Sequence, residues 1–183
     1  MKQINKGDFL ISYPFLEDDY FFRSVICMME HNDEGSFGLI INKKMPHKIG
    51  EVFPLLAHLD NAIYMGGPME TNSLFFLHPY ADLKDTIKVC EGLYWNGDIH
   101  ELRDMLELEF AKPEEIRFYL GYSGWSVGQI DDEIKEDSWL ISPLIKELIF
   151  DDKDDDIIWR IAVESLGRDF EPIAHAPIDP NMN

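Results

Sequence analysis

The side chains whose types and spacing could do chemistry fall in a few short stretches. Ser123 follows Gly121 and Tyr122 at the end of a strand-like run. That is how the G-x-S-x-G elbow presents a serine nucleophile, but Trp125 stands where its second glycine is required. No Asp or His can be placed beside Ser123 from sequence to complete a proton relay. His31, Asp33 and Glu34, with Glu30 adjacent, put imidazole and carboxylate groups in one polar stretch that could offer ligands to a cation. His100-Glu101 opens like a zinc-enzyme helix, yet Asp104 replaces the second histidine of H-E-x-x-H. Asp152, Asp154 and Asp156 imitate the start of a calcium loop. Ile157 then replaces its glycine and Val163 its final glutamate. Gly66-Gly67-Pro68 is too short for a phosphate-binding loop, and His78 beside Pro79 reads as satisfying local backbone. Each pattern is incomplete, so turns and solvated acidic loops are the simpler reading. No catalytic residue, metal ligand or cofactor is assigned.

A binding surface is the better-supported expectation. Residues 119–130 combine three glycines, Trp125 and a helix start, which reads as a compact corner. Tryptophan at a corner can anchor a partner, because it joins rigid apolar area to a polar edge. Glu30, His31, Asn32, Tyr122, Trp125 and Gln129 are therefore expected to share one exposed recognition surface. Trp95, Trp139 and Trp159 are expected in the core.

These residues must be held by the elements around them. Residues 9–13, 21–29, 37–41, 62–65, 74–77 and 116–120 read as strands. The second of these is apolar on both faces, as a covered central strand would be. Residues 86–95 are strand-like with Gly92 inside, and 138–141 read as a short extended piece. Helices are expected over 49–59, with Pro54 blurring the boundary, and from an Asp98/Glu101 capping box to about residue 109. Two more are expected around Ile130 and Ile134 and around Ile157, Ile158, Ile161 and Leu166. Residues 42–48 read as a loop, 143–149 as a turn-rich transition, 151–156 as an exposed acidic loop, and the proline-containing end as an extended surface segment. Strands in adjacent hairpin-like pairs, interspersed with helices, favour α+β. The expected fold is one compact domain, 1–183, with a mixed, mainly antiparallel β-sheet and flanking helices.

Composition bounds the partners. The 183 residues carry 35 acidic against 16 basic side chains, a formal charge of −19, which opposes a large phosphate-binding surface. Direct DNA or RNA binding is disfavoured on that ground. Cys27 and Cys90 are the two cysteines and sit in apolar surroundings, as buried thiols rather than a disulfide framework. A basic-then-apolar leader and a membrane-length apolar run are both lacking in the sequence, so a cytoplasmic location without membrane attachment is expected.

The motifs taken together resemble the YqgE/AlgH family. They are Glu30-His31-Asn32 with Gly38-Leu39-Ile40-Ile41-Asn42, then Gly66-Gly67-Pro68 and Leu77-His78-Pro79. Gly121-Tyr122-Ser123-Gly124-Trp125 with Gly128-Gln129 completes the series. Their order and spacing carry the likeness, from Gly7-Asp8-Phe9-Leu10 to the Asp179-Pro180 end. The resemblance implies a mixed-sheet α+β fold in a bacterial cytoplasmic protein. It also implies a family without an agreed biochemical activity, some of whose members are linked to transcriptional regulation of exopolysaccharide production. Ser123 and Ser36 stand where the family commonly has alanine, and Met69 where valine is usual, so hydroxyl chemistry is not part of that implication.

The leading expectation is thus a non-catalytic regulatory or protein-interaction role, with an unidentified protein partner. The alternatives are a small-molecule hydrolase or metal-assisted enzyme using His31 and nearby acids, and a direct nucleic-acid-binding regulator.

Overall fold

The structure is a computed structural model in which residues 3–16 and 18–177 are described. In chain order the strands are β1 (Phe9–Ser12), β2 (Val25–Asn32), β3 (Gly35–Ile40), β4 (Lys44–Lys48), β5 (Ala62–Met65), β6 (Met69–His78), β7 (Ile87–Cys90), β8 (Leu93–Trp95), β9 (Arg117–Trp125) and β10 (Trp139–Ser142). The helices are α1 (Ile49–Val52), α2 (Ile99–Glu107), α3 (Gln129–Lys135), α4 (Lys146–Ile149), α5 (Asp155–Glu164) and α6 (Glu171–Ala174). The chain is an α+β fold on a mixed, mainly antiparallel sheet with helices against it. The sheet runs in the order β10-β1-β2-β3-β9-β6-β8-β7, and β5 joins it at β9 and carries β4 at its side.

β9 is the strand on which this sheet turns. Its first half pairs in parallel with β5, Phe118 opposite Ile63, and antiparallel with β6 on the other side. Its second half pairs antiparallel with β3, Gly38 opposite Ser123. Between the halves Gly121 takes φ +71°, and a Cβ there would stand 2.5 Å from the Gly67 carbonyl oxygen. Only glycine fits that approach. The stretch expected as a corner is therefore the C-terminal half of the central strand. Its glycines serve the close crossing of Gly66-Gly67 over the strand backbone, where Gly66 N–H donates to Leu120 O at 2.8 Å.

Other differences have local causes. β2 begins at Val25 rather than at 21, because Arg23 adopts φ +47° in a turn closed by Phe22 N–H to Asp18 O. It also runs on to Asn32, into what read as a turn. Residues expected as a loop form β4, held by pairing of Lys44 with Tyr64. The helix expected over 49–59 ends after Val52, since Phe53 is extended and Pro54 starts a 3-10 turn, Pro54–Leu56. β6 is longer than its apolar stretch, because its first half is polar and exposed. Residues 143–149 include α4. The C-terminal segment is a 3-10 turn, Arg168–Phe170, followed by α6 with Pro172 in its first turn, rather than an extended run. Its Pro180 lies outside the described residues.

Three buried clusters fill the faces of the sheet. One joins β1, β2 and β9 to α5, with Trp159 fully buried and its indole donating to Ser12 O at 2.9 Å. A second packs α2 and the α1 region against Ile63, Phe76 and Phe118. The third holds Ile26, Met28, Ile130, Trp125 and Trp139. Asp98 caps α2, accepting from His100 and Glu101 N–H at 2.9 and 3.2 Å, but the expected box is not closed, because the Glu101 carboxylate accepts Lys84 N–H at 3.0 Å instead. Cys27 is buried, Cys90 half-buried, and both are free thiols.

Candidate functional site

The expected site residues meet around the β2–β3 hairpin and the end of β9, but on two faces. A β-bulge after Met28 resets the register, so Glu30 opposes Phe37, His31 opposes Ser36 and Asn32 opposes Gly35. Ser36 in turn opposes Trp125, and Phe37 opposes Gly124. Directly opposed residues share a face. His31, Ser36 and Trp125 therefore lie on one side, and Glu30, Asn32 and Phe37 on the other.

The Glu30 side carries a recess of about 450 Å³, bordered by Glu30, Asn32, Glu34, Phe37, Met69, Tyr122 and the backbone turn through Gly124 and Ser126. Its base is aromatic. Tyr122 meets Phe37 edge-on with ring centroids 5.0 Å apart, and Phe37 lies 5.1 Å from Trp95. Met69 is 48% exposed at the rim.

The opposite face corrects the expectation for Trp125, which is buried rather than exposed. Register with Ser36 sends its indole into the cluster with Phe21 and Trp139. Its Nε1–H donates to Glu133 Oε2 at 2.9 Å. Gln129 is exposed and acts on the same carboxylate, donating from Nε2 to Glu133 Oε1 at 2.8 Å while Oε1 accepts Ser126 N–H at 3.0 Å. His31 Nδ1 and Ser36 Oγ are 2.8 Å apart, a clip between paired strands. Glu30, Asn32 and Tyr122 are thus brought together at one recess that Trp125 borders. His31 and Gln129 brace its back. Phe37, Met69 and Glu34 complete the recess without having figured in the expected surface. The alternation of side chains along a hairpin through residues 30–37 was the signal for the first and last of them.

The chemical alternatives find their groups engaged elsewhere. Ser123 is fully buried and its hydroxyl donates to Gly66 O at 3.2 Å, fastening the Gly66-Gly67 crossing. Among the described residues no carboxylate hydrogen-bonds His31, so its contact with Ser36 lacks the orienting partner of a relay. No group of three or more His, Cys, Asp or Glu among the described residues is arranged to hold a metal ion. In residues 151–156, Asp156 pairs with Arg23 and Arg160, Asp152 with Lys44 and Asp151 with Lys153, and the expected loop ends at Asp154 because Asp155 and Asp156 open α5. His78 is fully buried, with Nε2 donating to Asn96 O at 2.8 Å and Nδ1 accepting Tyr80 N–H at 3.2 Å.

A mixed sheet whose central strand joins an antiparallel half to a parallel β5 partner defines an α+β protein of a distinct topology. The sequence pattern described as AlgH-like (DUF179) matches residues 9–171. A UPF0301 protein of Bacteroides thetaiotaomicron is 38% identical over 180 residues, covering 98% of this chain and 91% of its own. One of Chlorobaculum parvum is 38% identical over 183 residues, covering 100% and 97%. The solution structure of the AlgH protein from Pseudomonas aeruginosa superposes with a TM-score of 0.72 at 30% identity, over 92% of this chain and 94% of that one. A crystal structure of a Corynebacterium diphtheriae protein shares the fold, with a TM-score of 0.77 at 19% identity over 94% and 93%. The chain belongs to the AlgH-like, UPF0301 family.

Proposed function

We propose that this protein is a non-catalytic binding module that recognises a protein partner at the recess of Glu30, Asn32 and Tyr122. The observation that carries the reading is the pairing of two carboxylates, Glu30 and Glu34, with an aromatic base and an exposed Met69 at one opening. Such a surface suits a basic side chain flanked by an apolar one. The cation meets carboxylates and ring faces, and the apolar neighbour covers methionine, which adapts to varied shapes. Trp125, Glu133 and Gln129 form the rigid back that holds the recess open. The reading takes residues 1–183 as one AlgH-like domain working in the cytoplasm. Any regulatory role is exerted through that partner rather than by reading DNA, in keeping with the charge of −19. Among the described residues no helix is long and apolar enough to cross a membrane.

The test is quantitative capture from source cytosol by the full chain, against Glu30→Lys/Glu34→Lys and Met69→Asp variants verified as folded by circular dichroism. A protein retained by the parent and lost by both variants supports the reading, and its contact segment should carry Lys or Arg beside an apolar residue. Equal retention by all three rejects the recess. Retention of duplex DNA at low salt that fades as salt rises would replace the reading with nucleic-acid binding.

A further inference from the structure

Beside the recess of Glu30, Asn32 and Tyr122, the backbone of Gly124 is open to pairing. Its direction is fixed by bonds elsewhere in the sheet. Met28 turns its N–H and C=O to the β1 side, donating to Asp8 O at 2.9 Å and accepting Gly7 N–H at 2.7 Å. Bonded and unbonded pairs alternate along an antiparallel ladder, so Gly38, opposite Met28, faces the other way, toward β9. Ile40 keeps that alternation, donating its N–H to Gly66 O at 2.9 Å. Gly38 and Ser36 therefore bond to Ser123 and Trp125, the residues opposite them. Gly124, between these two, turns its N–H and C=O away from β3.

On that side β6 reaches only as far as Met69, its first residue, which pairs with Tyr122. The next outward donor past Gly124 is Ser126 N–H, and it is closed by Gln129 Oε1 at 3.0 Å. Among the described residues no hydrogen bond reaches Gly124 N–H or C=O from that side. Gly124 is also the exposed residue of an otherwise buried or half-buried strand. A free donor and acceptor on an accessible strand edge are what an added strand pairs with.

The side chains point to the occupant. Directly opposed residues share a face, so Glu30, Phe37 and Gly124 form one row across β2, β3 and β9. Gly124 has no left-handed φ that would demand glycine; a Cβ there would instead stand 3.2 Å from Tyr122 Cε2. A residue paired with Gly124 would come next in the row. Its side chain would cross the glycine toward Phe37 and Glu30, whose backbones lie about 10 and about 14 Å off at ordinary strand spacing. A long basic side chain suits that path, with its stem on the rings and its cation toward Glu30 and Glu34. A second copy would instead bring more acid to the opening, since the chain carries a charge of −19.

We propose that the partner enters this recess as an extended strand: one residue pairs main chain to main chain with Gly124 and lays a lysine or arginine across it toward the acids. This rests on the binding reading above and adds how the partner is held. Main-chain bonds set the register, and the basic side chain sets the selectivity.

The experiment is an NMR titration of the full chain, its backbone amides isotope-labelled, with the capped peptide Thr-Val-Arg-Val-Thr, whose flanks favour an extended backbone. The comparison peptide is N-methylated at the arginine nitrogen, which removes the donor for Gly124 O. The expected result is a saturable shift of the Gly124 amide at a Kd of about 1 mM or tighter. N-methylation should weaken binding about fivefold or more, and so should Gly124→Ala with the unmodified peptide. If Gly124→Ala does not fold, the two peptides on the parent chain decide. Equal affinity of both peptides with the Gly124 amide unmoved would overturn strand pairing and leave side-chain capture at the recess standing. No saturable shift would also overturn the proposal, because the peptide supplies every group it invokes; cytosol capture then decides the binding reading separately. A Gly124 shift that grows with the concentration of the chain alone would assign the edge to a second copy and overturn the proposal as well.

Discussion

Trp125 and Trp139 donate their indole N–H groups to the same atom, Glu133 Oε2, at 2.9 and 2.8 Å, with their rings nearly perpendicular at 81°. One carboxylate on α3 thus ties the end of β9 to β10, two strands that do not pair with each other. The arrangement fixes the back wall of the Glu30 recess.

Removing that carboxylate leaves two indole donors unsatisfied at once. Glu133→Ala should cost about 2–4 kcal/mol, and Glu133→Gln clearly less, since an amide oxygen still accepts. Urea unfolding with unchanged m-value checks this. The coupling also predicts that Trp125→Ala and Glu133→Ala combine to less than the sum of their separate effects.

The crossing of Gly66-Gly67 over β9 leaves no room for a side chain. A Cβ on Gly66 would sit 2.2 Å from Gly121 O, and one on Gly67 2.2 Å from the Tyr122 carbonyl carbon. Gly66→Ala should therefore cost more than about 3 kcal/mol or prevent folding. Ser123→Ala should cost only about 1 kcal/mol, as the loss of one neutral hydrogen bond. Parallel thermal melts of the two variants test the contrast; comparable losses would refute it.

His78 makes stability depend on pH. Burial pushes its pKa below the ordinary value, against the opposing pull of the Asn96 carbonyl. Protonation would also convert Nδ1, the acceptor for Tyr80 N–H, into a donor. The folded state therefore holds the neutral ring, and the unfolded chain binds the extra proton first. Stability from this group is fully present above about pH 6.5 and is lost as pH falls below it toward the folded pKa. Unfolding free energies measured between about pH 7.5 and about pH 5.5 should fall less steeply in His78→Gln than in the parent. Equal slopes would remove His78 from the account.

Arg23, stacked 4.6 Å from the Trp159 ring, holds Asp156 on α5 and Ala176 beyond α6. Asp156→Ala leaves that buried cation without its carboxylate, so a loss of about 3 kcal/mol is expected. Protease cleavage within residues 168–177 should accelerate in the same variant.

Much of the fold was legible where periodicity and turn chemistry agreed. β1, β5, β10, α3, α5 and the Asp98 cap of α2 fall where their sequence signals place them. β4 was not legible, because Lys44, His47 and Lys48 carry no apolar alternation and the strand exists through its ladder to β5. The site was half legible. Polar residues on one hairpin identify Glu30 and Asn32 as neighbours, but the Met28–Glu30 bulge decides which face each takes. That choice buries Trp125, which sequence presents as an exposed anchor.

The central position of β9 also bears on how the chain is made. Strands β1 to β3 and β6 to β8 leave the ribosome before residues 117–125, yet these two groups share no ladder except through that strand. A nascent chain emerged only to Trp95 presents two unfinished sheet fragments with apolar faces and open edges. Assembly then waits on a single late segment that must enter between edges already formed, a long-range closure that is intrinsically slow. Vectorial synthesis places the period of greatest aggregation risk before Arg117 emerges, and a pause in translation during that period would lengthen it.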